Sequence, residues 1–546
     1  MMRKSVATLI AVLFASVAGT LLAHDEQQAK KGEAYGRVMF KTSCTPQAQQ
    51  QFEKGLAQLH SFFFPETVKT FSAIPQLDAS CAIAYWGIAI SQRPNPLVGP
   101  FDAATLKRGL DAVEKGEAIG AKTQRERDWL GALKVYFKDY DSVDQDTRTH
   151  NYERAMEALS KKYPADVEAK IFHALALNEI FDHKSMEPLL QAIRILEPLD
   201  KKYPDHPGIT HYLIHSYDFA PIAKKGVPAA DKYAKIAPSA PHAQHMPSHI
   251  YSMVGMWEQS IRSNERAVEV SRQIGAQNWP GTGKIFPQAP HAWDFMVYAH
   301  LQLGQDAKAK QLVEEMKAAQ MGLYPNLGVY TGMVAIPARY YLERQDWSGA
   351  AQLQPLGSNY PAAEWQRAVC DGISYFGSAM GSARSGDVAT AEATLQKLDA
   401  QRETLLKLKQ GYWAEQVEVQ VLAAKAWIEQ AKANKAEALK FMRAAADLED
   451  ASEKHVAMEN RLYPMRELLG DMLREHGEYG EALKHYEISM TNTPKRLRGY
   501  YGAAKAAEGA GDAKRAASYY RQLALLTRSA DGDRAELKEL AQISAK

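Results

Sequence analysis

Six of the 16 histidines lie between residues 206 and 249, in the segments DHPGITHYLIHSYD and SAPHAQHMPSHIYSMVG. Two pairs have the spacing His-x-x-x-His, His211 with His215 and His245 with His249. Residues four positions apart share one face of a helix, so each pair can chelate a single metal ion. Neutral imidazole with a carboxylate suits Zn, Cu, Fe, Ni or Mn. The pattern therefore predicts a transition-metal site without selecting the metal.

The two histidine pairs occupy equivalent positions of adjacent sequence repeats. Subtracting 34 from 245 and 249 gives 211 and 215, and the same step relates Tyr251 to Tyr217. Helices that pack as neighbours lie about 10 Å or less apart. We therefore expect both pairs to face one shared pocket on the concave side of stacked repeats.

Two further segments extend the predicted site along the chain. His242 lies on the same helix face as His245, and in PHAWDFMVYAHLQLG the residues His291 and Asp294 take the second and fifth positions of the next inward-facing helix. The predicted metal ligands are His211, His215, His242, His245, His249, His291 and Asp294. The alternative is a polar or aromatic groove that binds a peptide or a small ligand through the same residues.

Several neighbouring residues have predicted supporting positions. Asp218 either accepts a hydrogen bond that orients an imidazole or ends its helix. Asp205 is the preferred N-cap of the helix that carries His211, ahead of His206. We expect His60 to lie too far along the superhelix to join the site. Arg339 is expected to be a solvated surface residue, with contact to an anionic substrate group as the alternative.

A repeat of 34 residues predicts the elements that position these side chains. Gly477, Ala482 and Tyr486 recur as Gly511, Ala516 and Tyr520, which is the tetratricopeptide period of helical hairpins. The same turn glycine recurs at 255, 304 and 386, with the polar residues Ser260 and Asn264 replacing the small and aromatic positions after Gly255. The predicted fold is all-α, a tetratricopeptide-like (TPR-like) α-solenoid, formed as a right-handed superhelix of helical hairpins.

The blocks HYLIHSYD, APHAQHMPSHIYSMVGMWEQSI and CAIAYWGIAI occur in this order along the chain. In these blocks the chain resembles a family of exported bacterial tetratricopeptide-repeat proteins, over residues 44 to about 350. The resemblance implies the helical repeat fold and export from the cytoplasm. It implies no reaction, because that family is named for its repeats. Typical adaptor proteins of the wider superfamily have Lys, Arg and Asn at the inward positions where this chain has His.

The first 23 residues have a basic start at Arg3 and Lys4 followed by an apolar run, which is typical of a secretory signal peptide. This predicts a periplasmic protein, or a membrane-tethered one if the signal is not cleaved.

Two segments rich in Pro and Gly, 94–102 and 277–290, are predicted loops. The predicted divisions are a signal peptide at 1–23, a flexible segment at 24–43, a TPR-like array with the histidine site at 44–350, and C-terminal repeats at 351–546.

Composition excludes several functional classes. A formal net charge of +2 on 546 residues gives no expectation of nucleic-acid binding. After the signal no apolar run approaches the length of about 20 residues that spans a membrane.

Cys44 and Cys81 can form a disulfide that stabilises the fold by about 3 kcal/mol, or they remain two buried thiols. Cys370 is expected in the core.

The sequence thus predicts an exported solenoid that binds a transition metal ion, Zn, Cu, Fe or Mn, through histidines on its concave face. Such a metal could activate water or dioxygen for a reaction on a small substrate, although no general base is apparent. No serine-nucleophile turn, phosphate-binding glycine loop or His-Glu-x-x-His helix occurs. The alternative function is a TPR scaffold that binds a peptide or protein partner without metal or catalysis.

Overall fold

The computed structural model describes residues 34–321 and 326–544. The predicted signal peptide, 1–23, lies outside the described residues. The described chain is all-α, and its only β pairing is an isolated bridge between Ile285 and Met321. None of its helices has the length and apolar character needed to cross a membrane.

In chain order the α-helices are α1 (Pro46–His60), α2 (Phe64–Ser72), α3 (Ile74–Leu77), α4 (Ala84–Ile90), α5 (Ala103–Ile119), α6 (Gln124–Phe137), α7 (Gln145–Lys162), α8 (Val167–Glu179), α9 (Glu187–Lys202), α10 (Pro207–Tyr217), α11 (Val227–Ile236), α12 (Pro241–His245), α13 (Pro247–Met253), α14 (Trp257–Asn278), α15 (Ala289–Gln302), α16 (Asp306–Ala318), α17 (Leu327–Glu343), α18 (Trp347–Ala350), α19 (Glu364–Arg384), α20 (Val388–Lys407), α21 (Gly411–Ala431), α22 (Lys435–Asp450), α23 (Met465–Glu475), α24 (Tyr479–Asn492), α25 (Leu497–Gly509), α26 (Ala513–Leu526) and α27 (Ala535–Ser544). Short 3-10 helices are present at Pro96–Val98 and Ala223–Gly226.

Consecutive helices pack on one another as hairpins, for example α19 on α20, α21 on α22 and α25 on α26. The hairpin turns contain glycines with left-handed φ angles, where a side chain would strain the backbone. These are Gly255 (67°), Gly304 (69°), Gly386 (86°), Gly477 (80°) and Gly511 (78°). All five were predicted from the repeat, so the TPR-like architecture is confirmed.

The segment before α1 packs against the first repeats. Phe40 is buried, with its ring centroid 4.9 Å from that of Phe52 and 5.0 Å from that of Trp129. Tyr35 is buried as well. The expectation of a flexible segment over 24–43 therefore does not hold for residues 35–43, because these aromatic side chains complete the core of the first hairpins.

The predicted loops at 94–102 and 277–290 lie outside α-helices over most of their length. The first contains the short 3-10 helix Pro96–Val98, and the second is shortened because α14 extends to Asn278 and α15 begins at Ala289. Phe286 of the second loop is buried against Phe63, with 5.5 Å between ring centroids. This loop is therefore part of the packed structure beside the turn between α1 and α2.

Cys44 and Cys81 form a disulfide, and Cys370 is a buried free thiol. The bond closes a loop with a sequence separation of 37, which reduces the entropy of the unfolded chain. We expect the double variant Cys44→Ser, Cys81→Ser to lose about 3 kcal/mol of unfolding free energy, measured by urea unfolding. Reduced wild-type protein should match the variant. Unchanged stability of the wild type under reductant would contradict this prediction.

Residues 451–464, between α22 and α23, form a closing loop over the middle helices. The Glu453 amide donates to the His183 carbonyl at 2.7 Å, and the Lys454 ammonium donates to Asp218 at 2.8 Å. Further along, the Asn460 carbonyl accepts from Arg339 at 2.9 Å. Through these contacts the C-terminal part of the chain packs against the C-terminal end of α10 and against α17.

Candidate metal centre

Six of the seven predicted ligands meet in the structure, and they divide into two groups of three. The first trio is His211, His215 and His242, and the second trio is His245, His249 and His291. Within each trio, one nitrogen from every ring lies within 4.8 Å of the others. All six side chains are buried. Each trio is therefore a set of three imidazoles close enough to share one ion after small side-chain movements.

The division into trios follows the sequence repeat. Each trio combines a His-x-x-x-His pair from one inward-facing helix with the second-position histidine of the next. The first pair lies on α10, the second spans α12 and α13, and His291 lies on α15. The sequence predicted one shared pocket; the structure places the six rings beside one another and groups their nitrogens into two trios from consecutive repeats.

Hydrogen bonds fix the protons of two histidines in the second trio. His245 Nδ1 lies 2.6 Å from Asn264 Oδ1, whose amide orientation is set because its Nδ2 donates to the Ser260 carbonyl. His249 Nδ1 lies 2.7 Å from Asp218 Oδ2. Both acceptors require a proton on Nδ1, and a neutral imidazole carries only one. The Nε2 atoms of both rings therefore present lone pairs.

These two lone pairs face each other, because His245 Nε2 and His249 Nε2 are 2.9 Å apart. Two bare acceptors at this distance repel unless a cation lies between them. Burial lowers the pKa of His245 to about 4 and the pKa of His249 well below its usual range, so an added proton is not retained at neutral pH. A metal ion is the cation that fits this nitrogen set.

The first trio has a less restrictive hydrogen-bond pattern. His211 Nδ1 donates to the His60 carbonyl at 2.6 Å, which leaves its Nε2 as an acceptor 3.0 Å from His242 Nε2. His242 Nδ1 lies 2.8 Å from the Gln288 amide. If the Gln288 amide nitrogen donates to His242 Nδ1, the His242 proton lies on Nε2 and is donated to His211. If the Gln288 amide oxygen instead accepts from His242 Nδ1, the lone pair on His242 Nε2 makes His242 a second metal ligand. This trio is compatible with both arrangements.

Each trio also contains a ring with at least one unpaired nitrogen. His215 Nδ1, His215 Nε2 and His291 Nδ1 are buried and have no hydrogen-bond partner in the described part of the chain. A buried unpaired polar atom is costly, and a bound ion would offset that cost.

Aromatic rings cover both trios. The Phe62 ring centroid is 4.5 Å from that of His211 and 5.3 Å from that of His242, while the Phe295 centroid is 4.7 Å from that of His245. The six histidines, which were expected to line a pocket on the concave face, are all buried. The reason is that the aromatic rings and the closing loop exclude solvent from the inner face.

Asp218 contacts the second trio through the His249 nitrogen Nδ1, whereas Nε2 of the same ring faces His245. Besides accepting from His249, its Oδ2 accepts from Lys454 Nζ at 2.8 Å. Burial raises the pKa of this carboxyl to about 6, so it is mostly ionised at neutral pH. Asp218 is also the C-cap residue of α10, so both predicted roles apply. An anionic acceptor on Nδ1 orients the ring and increases its basicity as a ligand.

Asp294 lies outside both trios. Its Oδ1 accepts from Arg339 Nε at 2.9 Å, and both side chains are buried. Arg339 is therefore not the solvated surface residue that was expected, because α17 inserts it between α15 and the closing loop. The repeat placed Asp294 on the inward face correctly, but an arginine from the next helix is its partner.

Glu459 of the closing loop lies beside this ion pair, with its Oε2 3.8 Å from Arg339 Nη2. Burial raises the Glu459 pKa to about 8, against an ordinary value of 4.5. Between these pH values the folded state holds a proton that the unfolded chain has released, so stability decreases as pH rises. We expect Glu459→Gln to remove this decrease and to be more stable than wild type at pH 8, by on the order of 3 kcal/mol.

The measurement for Glu459→Gln is urea unfolding of both proteins at pH 4.5 and pH 8. The stability difference between variant and wild type should grow with pH. Glu437→Gln, at an exposed position of α22, is the control and should show no such trend. A difference that is equal at both pH values would contradict an elevated pKa at Glu459.

His60, Glu168 and His206 form a third buried cluster of potential ligands. Here the nitrogens have protein partners, since both rings contact the Glu168 carboxylate at 2.9 Å and His60 Nδ1 contacts the Tyr212 hydroxyl at 2.9 Å. His206, not Asp205, caps α10 by accepting from the Ile209 amide. We interpret the cluster as a hydrogen-bonded support for α10. His60 was expected to lie too far away, but it is adjacent to the first trio, because its backbone carbonyl accepts from His211 Nδ1.

Sequence reasoning identified Asp218 but missed the other residues that orient the rings. Asn264 was detectable in the sequence, because it occupies the position where the repeat has an aromatic residue. Its side chain accepts a hydrogen bond from His245. Gln288 lies in a predicted loop, and Lys454 lies more than 160 residues from the nearest histidine of the trios. Neither carried a signal, because their contacts depend on how distant segments fold back.

No known family model matches the chain, and no curated protein matches it. Among solved structures, the chain is similar to the human IFIT1 dimer with PPP-AAAA, at 13% identity over 86% of this chain and 89% of that chain, with a TM-score of 0.35. It is also similar to yeast Tom70, at 11% identity over 91% and 95%, with a TM-score of 0.32. These scores are too low to support any argument about the site.

Proposed function

We propose that this protein binds transition-metal ions at the two histidine trios. The observation that carries the proposal is the pair of Nε2 atoms of His245 and His249, 2.9 Å apart with both Nδ1 protons committed to other acceptors. Burial lowers the pKa of both rings, which disfavours a shared proton, and a metal ion between the two nitrogens would relieve their repulsion. The unpaired nitrogens of His215 and His291 support the same function.

We further propose that the protein is exported and acts in the periplasm. The apolar leader and the resemblance to exported bacterial repeat proteins support this location, and so does the disulfide, which persists in oxidising compartments. A small molecule is the proposed partner, because a cavity lined by Tyr412, Trp413 and His455 adjoins Lys454. Through Asp218, Lys454 links this cavity to the second trio.

The test is elemental analysis of the untagged protein purified from the periplasm. We expect up to two transition-metal equivalents per chain, one for each trio. The double variant His215→Leu, His291→Leu should lose the metal, and it removes no hydrogen bond seen within the described residues. The control is His300→Leu, which changes a buried histidine of α15 outside both trios.

A metal-free protein that is equally stable with and without a chelator would contradict metal binding. That outcome would favour the alternative function, a TPR-like scaffold for a peptide or protein partner. Circular dichroism of each variant establishes that lost metal does not reflect lost folding.

A further inference from the structure

The charge around the two trios restricts which ion they can hold. The ligands are neutral imidazoles, and the one carboxylate among the hydrogen-bond partners of these rings in the described chain is Asp218. That carboxylate is already paired with Lys454. A bound ion therefore keeps its full charge in buried surroundings. Because the cost of burying an ion rises with the square of its charge, a dication costs roughly four times as much as a monocation.

The number of ligands also favours a monocation over a dication. Each trio offers three nitrogens, and a zinc site with three histidines keeps a fourth position for water. Here the ring nitrogens of His215 are buried, and Phe62 and Phe295 lie against the trios. A three-coordinate ion of low charge suits these sites better than a dication that needs water. Imidazole suits copper among the transition metals, and Cu(I) is a monocation that accepts three ligands without water.

The two sites are also neighbours. The ring centroids of His215 and His249 are 6.0 Å apart, as are those of His242 and His245, so rings of different trios meet at two places. Two ions held in these trios would share one buried, aromatic-walled compartment.

Resting on the proposed metal binding, we propose that each trio holds one Cu(I) ion and that the two ions act together on dioxygen. Each Cu(I) gives one electron and becomes Cu(II), and dioxygen receives both electrons and becomes peroxide with its O–O bond retained. The two coppers balance this step without another reductant. Dioxygen is small and uncharged, so it enters buried, aromatic-walled surroundings at a lower desolvation cost than a charged substrate.

The first experiment is an anaerobic titration of chelator-treated, full-length exported protein with Cu(I), in competition with a chromophoric chelator, and a parallel titration with Zn(II). We expect two Cu(I) per chain that Zn(II) does not displace. The variants His215→Leu and His291→Leu should each bind one Cu(I), and His300→Leu should bind two. Preference for Zn(II), or binding of neither ion by a protein that purifies with another transition metal, would overturn the copper assignment and leave the proposed function standing. Binding of neither ion by a protein that also purifies without metal would overturn both.

The second experiment adds dioxygen to the Cu(I)-loaded proteins and follows its consumption. The wild type should consume one dioxygen per two coppers. The two single-trio variants hold one copper each, so both should lose this two-electron reaction. If either variant consumes dioxygen at the wild-type rate per copper, the proposed cooperation between the trios is wrong.

Discussion

Replacing Asp218 with asparagine is expected to weaken metal binding at the second trio by roughly 10- to 100-fold, while the first trio keeps its affinity. The carboxylate accepts from His249 Nδ1 at 2.7 Å and holds that ring with its Nε2 towards His245. Asparagine can still accept this hydrogen bond, but it lacks the negative charge that increases the basicity of the imidazole. Competition titrations with Cu(I) and, separately, Zn(II) measure the effect.

Asp218→Asn also leaves the buried ammonium of Lys454 without its partner, which destabilises the fold independently of metal. The double variant Asp218→Asn, Lys454→Met removes both charges. It should recover stability and retain the weak metal affinity. Asp471→Asn, at a buried carboxylate that accepts from Tyr486, is the matched control. If affinity in the double variant returns to the wild-type value, Asp218 acts on folding alone.

Arg496→Met is expected to cost about 3 to 5 kcal/mol of unfolding free energy, because it leaves buried carboxylates without a counter-charge. The Arg496 guanidinium contacts Glu467 at 2.8 Å and 3.0 Å and Glu343 at 2.8 Å. It also donates to the Tyr298 hydroxyl. These contacts join the C-terminal repeats to α15 and α17, so their loss should loosen the packing around the histidine trios.

Urea unfolding followed by circular dichroism measures this effect. Adding Glu467→Gln to Arg496→Met should restore part of the loss, since one of the unpaired carboxylates is then neutral. Arg515→Met breaks an exposed pair with Asp512 and should cost less than about 1 kcal/mol. A loss at Arg496 as small as that at Arg515 would show that the buried network does not hold the repeats together.

Much of the site could be predicted from spacing alone. The step of 34 residues placed His245 and His249 beside His211 and His215, and the positions within the repeat brought in His242 and His291. Asp294 was placed on the correct face, yet its carboxylate pairs with Arg339. Periodicity determines which face of a helix a residue occupies, but it does not determine which side chain from another helix reaches that face first.

The sequence by itself determined the helical repeats, their turn glycines and the set of histidines, because these depend on local spacing that recurs from repeat to repeat. Only the tertiary structure decided that the histidines separate into two trios, that Cys44 pairs with Cys81, and that a loop from residues 451–464 covers the centre. The physical reason is distance along the chain. Contacts such as Lys454 with Asp218 join segments 236 residues apart, and no local pattern encodes how the stacked repeats bring them together.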